Sequence, residues 1–597
     1  MKRLVLPLVL LTASAATLAL TAQSKKPAAA AAHTTFSIVE ATIPEMRTAL
    51  EQKRVTSHEL VQLYLTRMGL YEDKLHAAIT VNPHALDIAD ERDRERAQGT
   101  IRGPLHGIPV ALKDNILTTD MRTTGGALAF EGLIPPYDAT LTKNLRDAGA
   151  IIIAKTGMTE LANWVAGSPT PMPGNYNAVG GQGYNPYDPR KDPREATFDG
   201  RPALTTGGSS SGVGTAANFW AANVGSETSG SILSPSNQNM LAGIKPTVGR
   251  ISRYGVIPIT ADQDTAGPMA KSVSDVAIML GALESASPDP NDPATRTCTP
   301  PPNRDYTPFL KRDGLKGARI GIPRAYYYDR ITPPASEAAG RAGRGGRGDE
   351  AAGRGGRGGR GGGLNGDEKK AMDEAIAVLK QQGAIVVDSA DIPSIVDKDP
   401  KNNFLAWGQC SGADNAKGKD EDCSIDLKYG MKRDFNKWLA TLGPAAPVKS
   451  LTALREWNTA HAKAGAIKYG QSNLDISDEM DLDADRARYE ADRAKDIRLG
   501  GTHGIDEVMK GDRLDAILFP GASGAGVAAK PGYPTVIVPF AMVPNAPIPP
   551  FPAGFDAKPA PFGVSFTGMA CSEPKLIELA YSFEQATKKR VPPSSVP

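Results

Sequence analysis

Between Gly207 and Ser231 the chain reads GGSSSGVGTAANFWAANVGSETSGS, dense in serine and glycine and without histidine. Small polar residues at this density form turns and loops. A serine hydroxyl is a weak nucleophile until a neighbouring base takes its proton. Gly208-Ser209-Ser210-Ser211-Gly212 matches G-x-S-x-G, the nucleophile elbow, and would make Ser210 the nucleophile. That geometry needs a strand just before the serine, and an acid and then a histidine after it. The lead-in DGRPALTTGG reads as loop, and the histidines that follow, His461 and His503, sit in polar, helix-like stretches. Lys113 offers a different base. It closes the apolar run of GIPVALKDN. A lysine at the end of a buried strand loses hydration, which favours its neutral, proton-accepting form, and Ser-Lys pairs are a working variant of nucleophilic catalysis. The plainer reading of Lys113 lets its side chain curl to solvent at the strand end.

Four stretches decide between these readings by resemblance: GPLHGIPVALKDN (103–115), TTGGSSSG (205–212), GSETSGSILSPSNQNMLAGIKPTVGRISRYGVIP (225–258) and DQDTAGPMAKSVSDVA (262–277). Together with the closing FGVSFTGMACSEPKLIELAYSFEQATKKRVPP, they resemble the amidase signature family in order and spacing. The resemblance runs from about residue 36 to 592. It implies a Ser-cisSer-Lys triad, in which Ser231 attacks the carbonyl and Ser209, carrying a cis peptide, relays the proton to neutral Lys113. It places the oxyanion hole at the backbone N–H groups of Thr228, Ser229, Gly230 and Ser231, with Ser211 and Thr228 supporting the triad by hydrogen bonds and Asp114 in a structural role. An oxyanion donor of this kind lowers a barrier by about 3 kcal/mol. Two departures stand out. The stretch from Ser209 to Ser231 is about two residues shorter than is usual in the family, which puts the shortening in the helix expected over GVGTAANFWAAN, and the common Gly-Gly before the nucleophile is Ser229-Gly230.

Members of the family act on peptide amides, fatty-acid amides, aryl amides, small carboxamides and misacylated tRNA. GYNPYDPR (183–190) and ADQDTAGP are similar to the bacterial peptide-amidase type. The expectation is an amidase that hydrolyses linear C–N bonds of carboxamides, C-terminal peptide amides or small amides through an acyl-enzyme, with no cofactor and no metal. A non-catalytic binding protein on the same scaffold is one alternative, and an amidotransferase A-type subunit is the other.

Elements that could position these residues are visible in the patterning. Thr42-Ile43-Pro44-Glu45 and Thr56-Ser57-His58-Glu59 read as capping boxes opening two helices. AAITV, IPVAL (108–112) and the run after Gly149 read as strands, and ATLTKNLRDAGAIIIAKT as a helix stopped by Gly149 before its strand. Further on, SVSDVAIMLGAL (272–283) reads as a helix, ARIGIP as a strand, MDEAIAVLKQQG as a helix and AIVVD as a strand. DAILFP, PTVIVPF and FGVSFTG are late strands, and KLIELAYSFEQAT is a last amphipathic helix. The expected fold is α/β, one large domain (36–592) with a central mixed β-sheet covered by helices on both faces.

The whole chain sets outer bounds. With 597 residues, 40% hydrophobic, 22% charged and a net charge of +2, nothing global calls for nucleic acid or a membrane surface. MKRLVLPLVLLTASAATLALTAQS has the pattern of a signal peptide (1–22), followed by a linker (23–35). That makes the protein exported, periplasmic or secreted, with no stable membrane insertion once the leader is removed. An uncleaved anchor is the alternative for the same apolar stretch. The Arg/Gly-rich stretch 338–366 cannot build a core and reads as an inserted loop, and 593–597 reads as a tail. Of the four cysteines, Cys410 and Cys423 enclose a short polar loop and form a candidate disulfide. The scattered histidines and the lack of a C-x-x-C pair argue against a zinc site.

Overall fold

The computed structural model describes residues 36–167, 170–194, 199–334, 362–410 and 422–597. The leader (1–22), the linker (23–35) and almost all of the Arg/Gly-rich insertion lie outside these residues. Helices α1 (Ile43–Glu51) and α2 (Ser57–Leu75) both open on complete capping boxes, Thr42 with Glu45 and Thr56 with Glu59. Eleven strands then make one mixed sheet. They are β1 (Ala78–Val81), β2 (Pro109–Lys113), β3 (Ile151–Thr156), β4 (Ala222–Glu227), β5 (Ala242–Lys245), β6 (Thr265–Ala270), β7 (Arg319–Ile322), β8 (Ile385–Asp388), β9 (Ala516–Pro520), β10 (Thr535–Val543) and β11 (Ala560–Thr567). Their spatial order is β1-β3-β2-β4-β6-β5-β10-β11-β9-β7-β8. Helices flank the sheet, including α3 (Ser210–Ala216), α4 (Leu233–Gln238), α5 (Val273–Leu283) and α8 (Glu573–Thr587), while α6 (Asp426–Thr441) and α7 (Arg486–Ile497) pack against each other. The expected α/β architecture is the one present.

Strands with apolar runs lie where the patterning puts them. Three others carry no such signal. β4 (ANVGSE), β5 (AGIK) and β6 (TAGPMA) are buried along their whole length. They are built of small residues, so neither alternation nor β-branched enrichment marks them. The helix expected over GVGTAANFWAAN is cut short. α3 ends at Ala216, Asn218 takes a left-handed φ of 57°, and β4 has begun by Ala222.

Two disulfides close the described cysteines. Cys410–Cys423 is the expected pair, and Cys298–Cys571 joins segments 273 residues apart in the sequence. The closing residues are docked on the fold. Arg67 donates to the carbonyls of Val596 and Pro597, and Ser595 donates to that of Pro186. No helix among the described residues is long and apolar enough to cross a membrane.

Candidate active site

Three strands bring the candidate residues to one edge of the sheet. β2 runs parallel to β3 on one side and to β4 on the other, and β6 runs antiparallel to β4. Lys113 at the end of β2, Thr156 at the end of β3, Glu227 at the end of β4 and Thr265 at the start of β6 therefore share that edge. The chain leaving β3 holds the Ser209 loop, and the chain leaving β4 carries Ser231, so Lys113 sits on the strand between them.

The Lys113 side chain does not curl to solvent. It is fully buried, and its Nζ donates to the carbonyl oxygen of Ser226 at 3.1 Å and to Ser226 Oγ at 3.0 Å. Asn115 Nδ2 donates to the same Ser226 hydroxyl at 2.9 Å. No carboxylate among the described residues forms an ion pair with Lys113. Loss of hydration pulls its ammonium down to about 8, against the opposing fields of Asp264 and Glu227. The neighbouring Lys155 is buried too, but it is paired with Asp114 at 3.4 Å and donates to Thr123 Oγ1 at 2.6 Å. Asp114 also accepts from Thr124 N at 3.0 Å, which makes it a strut beneath the site.

Ser209 caps α3. Its backbone is extended (φ −155°, ψ 127°), and its Oγ accepts from Ser211 N at 3.2 Å. Backbone bonds fasten this loop to the chain after β3: Ser210 N donates to Gly157 O at 2.9 Å and Thr159 N to Gly208 O at 3.2 Å. Ser211 Oγ meets Thr156 Oγ1 at 2.5 Å, which anchors the loop to the end of β3. The expected cis peptide is not present at Ser209. The cis bonds of the described chain are Asp388–Ser389 and Ile548–Pro549. Gly207 and Gly208, with φ of 78° and 87°, take the sharp turn before the serine instead, a conformation open to glycine without a Cβ clash.

Ser231 is half-buried in the turn between β4 and α4, after Gly230 at φ 95°. Glu227 Oε2 holds this turn from behind, accepting from Ile232 N at 2.8 Å and Leu233 N at 3.0 Å, while Ser234 N donates to Gly230 O at 2.7 Å. The backbone N–H groups of Ser229, Gly230 and Ser231 donate to no described residue. They form a row of free donors where the oxyanion hole is expected. Thr228, the fourth expected member, is tied by its hydroxyl to Asp264 Oδ1 at 2.5 Å. The two serine loops touch through backbone: a Cβ on Gly207 would lie 2.5 Å from Ser234 C and Pro235 N. Lys113, Ser209 and Ser231 are thus gathered at one edge, although no hydrogen bond joins any two of them.

The elbow reading finds no base among the described residues. Ser210 Oγ donates to the His76 backbone carbonyl at 3.1 Å and meets the Asn175 amide, while the His76 ring points to Gln182 O. His461 stacks on Trp457, and His503 lies between Asp397 and Glu507. Ser226, Asn115, Glu227 and Asp264 were not singled out by the residue pattern. Strand pairing is what places them. Leu112 faces Val224 across the β2–β4 pair, which carries Ser226 to the Lys113 ammonium.

Comparison with known proteins places the same segments in one family. The family model described as Amidase matches residues 59–344. A probable amidase of Arabidopsis thaliana is 34% identical over 94% of this chain and 93% of its own length. The structure of the native peptide amidase from Stenotrophomonas maltophilia superimposes with a TM-score of 0.72 at 34% identity, covering 93% of this chain and 98% of that one. A Geobacter glutamyl-tRNA(Gln) amidotransferase A-type subunit is 35% identical over 58% of this chain and 60% of its own length.

Proposed function

The chain belongs to the amidase signature family and is an amide-hydrolysing enzyme, and from that premise we propose that it is an exported hydrolase of C-terminal peptide amides and small carboxamides, acting through Ser231, Ser209 and Lys113. The observation that carries the mechanism is Lys113: a fully buried amine, held down to about 8, on the strand between two serine loops and with no carboxylate among the described residues paired to it. Such an amine is neutral often enough near neutral pH to serve as a base.

In acylation, Ser231 Oγ bonds to the amide carbon, its proton passes to Ser209 Oγ, and the Ser209 proton passes to Lys113 Nζ. The oxygen that takes up negative charge faces the free N–H groups of Ser229, Gly230 and Ser231, fixed before the reaction starts. The proton then returns from Lys113 through Ser209 to the leaving nitrogen, and the C–N bond breaks. Water attacks the ester, loses its proton along the same relay and frees the carboxylic acid, with Ser231 protonated again. For a C-terminal peptide amide the products are ammonia and the free peptide acid. Similarity to a peptide amidase along nearly the whole chain favours this substrate class. The leader sequence and the two disulfides, which leave no described cysteine free, favour export, because such bonds persist in oxidising compartments.

Ammonia release from a series of peptide amides and small carboxamides, measured for the wild type and Ser231→Ala, tests the proposal. Release by the wild type and none by the variant is the expected result. Equal release by both removes the mechanism, and activity confined to non-peptide amides removes the peptide-amide assignment.

A further inference from the structure

The turn just before β6 carries more of the site than its sequence suggests. Asp264 precedes Thr265, whose pairing with Glu227 puts this turn at the edge where β2 and β4 end. Asp264 uses both carboxylate oxygens. Oδ1 accepts from Thr228 Oγ1 at 2.5 Å, and Oδ2 accepts from the backbone N–H groups of Ile259 at 2.8 Å and Thr260 at 3.0 Å. The turn is bolted to the helical layer beyond it. Ala261 N donates to Asp434 at 2.7 Å, Asp262 accepts from Arg433 and from Tyr489 OH at 2.8 Å each, and Gln263 donates to Asp426 at 2.9 Å. Asp264 therefore has little freedom to move relative to β2 and β4.

We infer that Asp264 is a positioning residue for catalysis: its carboxylate fixes Thr228 at the start of the oxyanion turn and supplies the counter-charge for the Lys113 ammonium that forms during acylation. This rests on the reading of Lys113 as the base. Lys113 has no paired carboxylate among the described residues, so the positive charge it acquires is offset through space, and Asp264 and Glu227 are the carboxylates whose fields favour it. Glu227 holds the backbone of Ile232 and Leu233 through Oε2, and its Oε1 accepts from no described residue. Asp264 is the one that also reaches the Thr228 hydroxyl. The arrangement parallels, with a lysine, the way a buried aspartate supports an imidazolium in a Ser-His-Asp site. The charged groups facing Asp264 are Lys113 on β2, Arg253, whose guanidinium is paired with Asp292, and Asp434 on α6. Burial pushes the Asp264 carboxyl up to about 7, and the Thr228 hydrogen bond and Arg253 oppose that rise. Above that value Asp264 is charged, and its field favours the Lys113 ammonium.

The test is the pH dependence of kcat on a peptide amide for the wild type, Asp264→Asn, Thr228→Val and Ser231→Ala. The wild-type rate rises with pH as Lys113 becomes neutral. Removing the Asp264 charge removes a field that holds the Lys113 proton, so in Asp264→Asn the midpoint of the rise moves to lower pH by about half a unit or more. The weaker base lowers the plateau by about tenfold. Thr228→Val keeps both backbone bonds to Asp264 but raises its carboxyl, so the midpoint moves the same way by less. This second variant decides the question if Asp264→Asn does not fold. A loss of rate with an unmoved midpoint in the folded variants would make Asp264 a structural cap and overturn the inference. Full activity in Ser231→Ala would instead overturn the reading on which it rests, so the two failures are distinguishable.

Discussion

The Lys113 ammonium donates twice to one residue, Ser226, at 3.0 Å to its hydroxyl and 3.1 Å to its carbonyl. Both acceptors are neutral. The amine is therefore positioned by hydrogen bonds without a paired charge that would lock its proton in place, which is the condition a lysine base needs.

A depressed lysine has a consequence for stability as well as for rate. Its folded value, about 8, lies below the ordinary lysine value, so the unfolded chain binds the proton more tightly. The charged amine thus destabilises the fold below pH 8, and the penalty fades as pH rises from 8 towards 10.5. Lys113→Met is expected to be inactive at every pH yet more stable than the wild type at pH 7 by about 2 kcal/mol. The gain should shrink as the pH approaches about 10. Denaturant titrations at neutral pH and at a pH near the ordinary lysine value check it, and a gain independent of pH would contradict a titrating lysine.

Gly207→Ala is expected to cost more than a loop substitution should. The new Cβ would meet the backbone of Ser234 and Pro235 at 2.5 Å, and φ is 78°. The Ser209 loop must then separate from the turn that carries Ser231. We expect kcat/KM to fall about a hundredfold, in line with the sensitivity of catalysis to small misplacements. Steady-state kinetics with a melting curve separates this from simple unfolding.

Ser210→Ala separates the two serine readings. Ser210 Oγ serves the Asn175 amide and the His76 carbonyl. Its loss is expected to lower stability by about 1 kcal/mol, while hydrolysis continues. An inactive but folded Ser210→Ala would revive the elbow.

The two disulfides differ in the chain they close. By the loop-entropy argument the 13-residue Cys410–Cys423 loop contributes about 3 kcal/mol and the Cys298–Cys571 closure of 273 residues more than about 5 kcal/mol. Cys298→Ser with Cys571→Ser is therefore expected to lower the Tm further than Cys410→Ser with Cys423→Ser. Equal shifts would contradict the ordering.

How much of this was legible in the sequence differs from element to element. The capping boxes at Thr42 and Thr56, the apolar strands and the closing helix follow from local pattern, and the fold follows from them. Lys113, Ser209 and Ser231 were legible as motifs, not as neighbours. What joins them is β4 and β6, strands of small residues whose pattern carries no strand signal. Ser226, Asp264 and the Cys298–Cys571 bond are long-range relationships of the same kind: strand register and chain path create them, and no spacing in the sequence announces them. At Ser209, Gly207 and Gly208 make the sharp turn through positive φ, where the family pattern pointed to a cis bond.

The most direct test of the central claim is chemical. The purified protein is treated with a fluorophosphonate that traps activated serines, and the labelled peptide is identified by mass spectrometry, with Lys113→Ala as the control. The account predicts label on Ser231 in the wild type and little or none in the control. Label on Ser210, or equal labelling of Ser231 without Lys113, would contradict it.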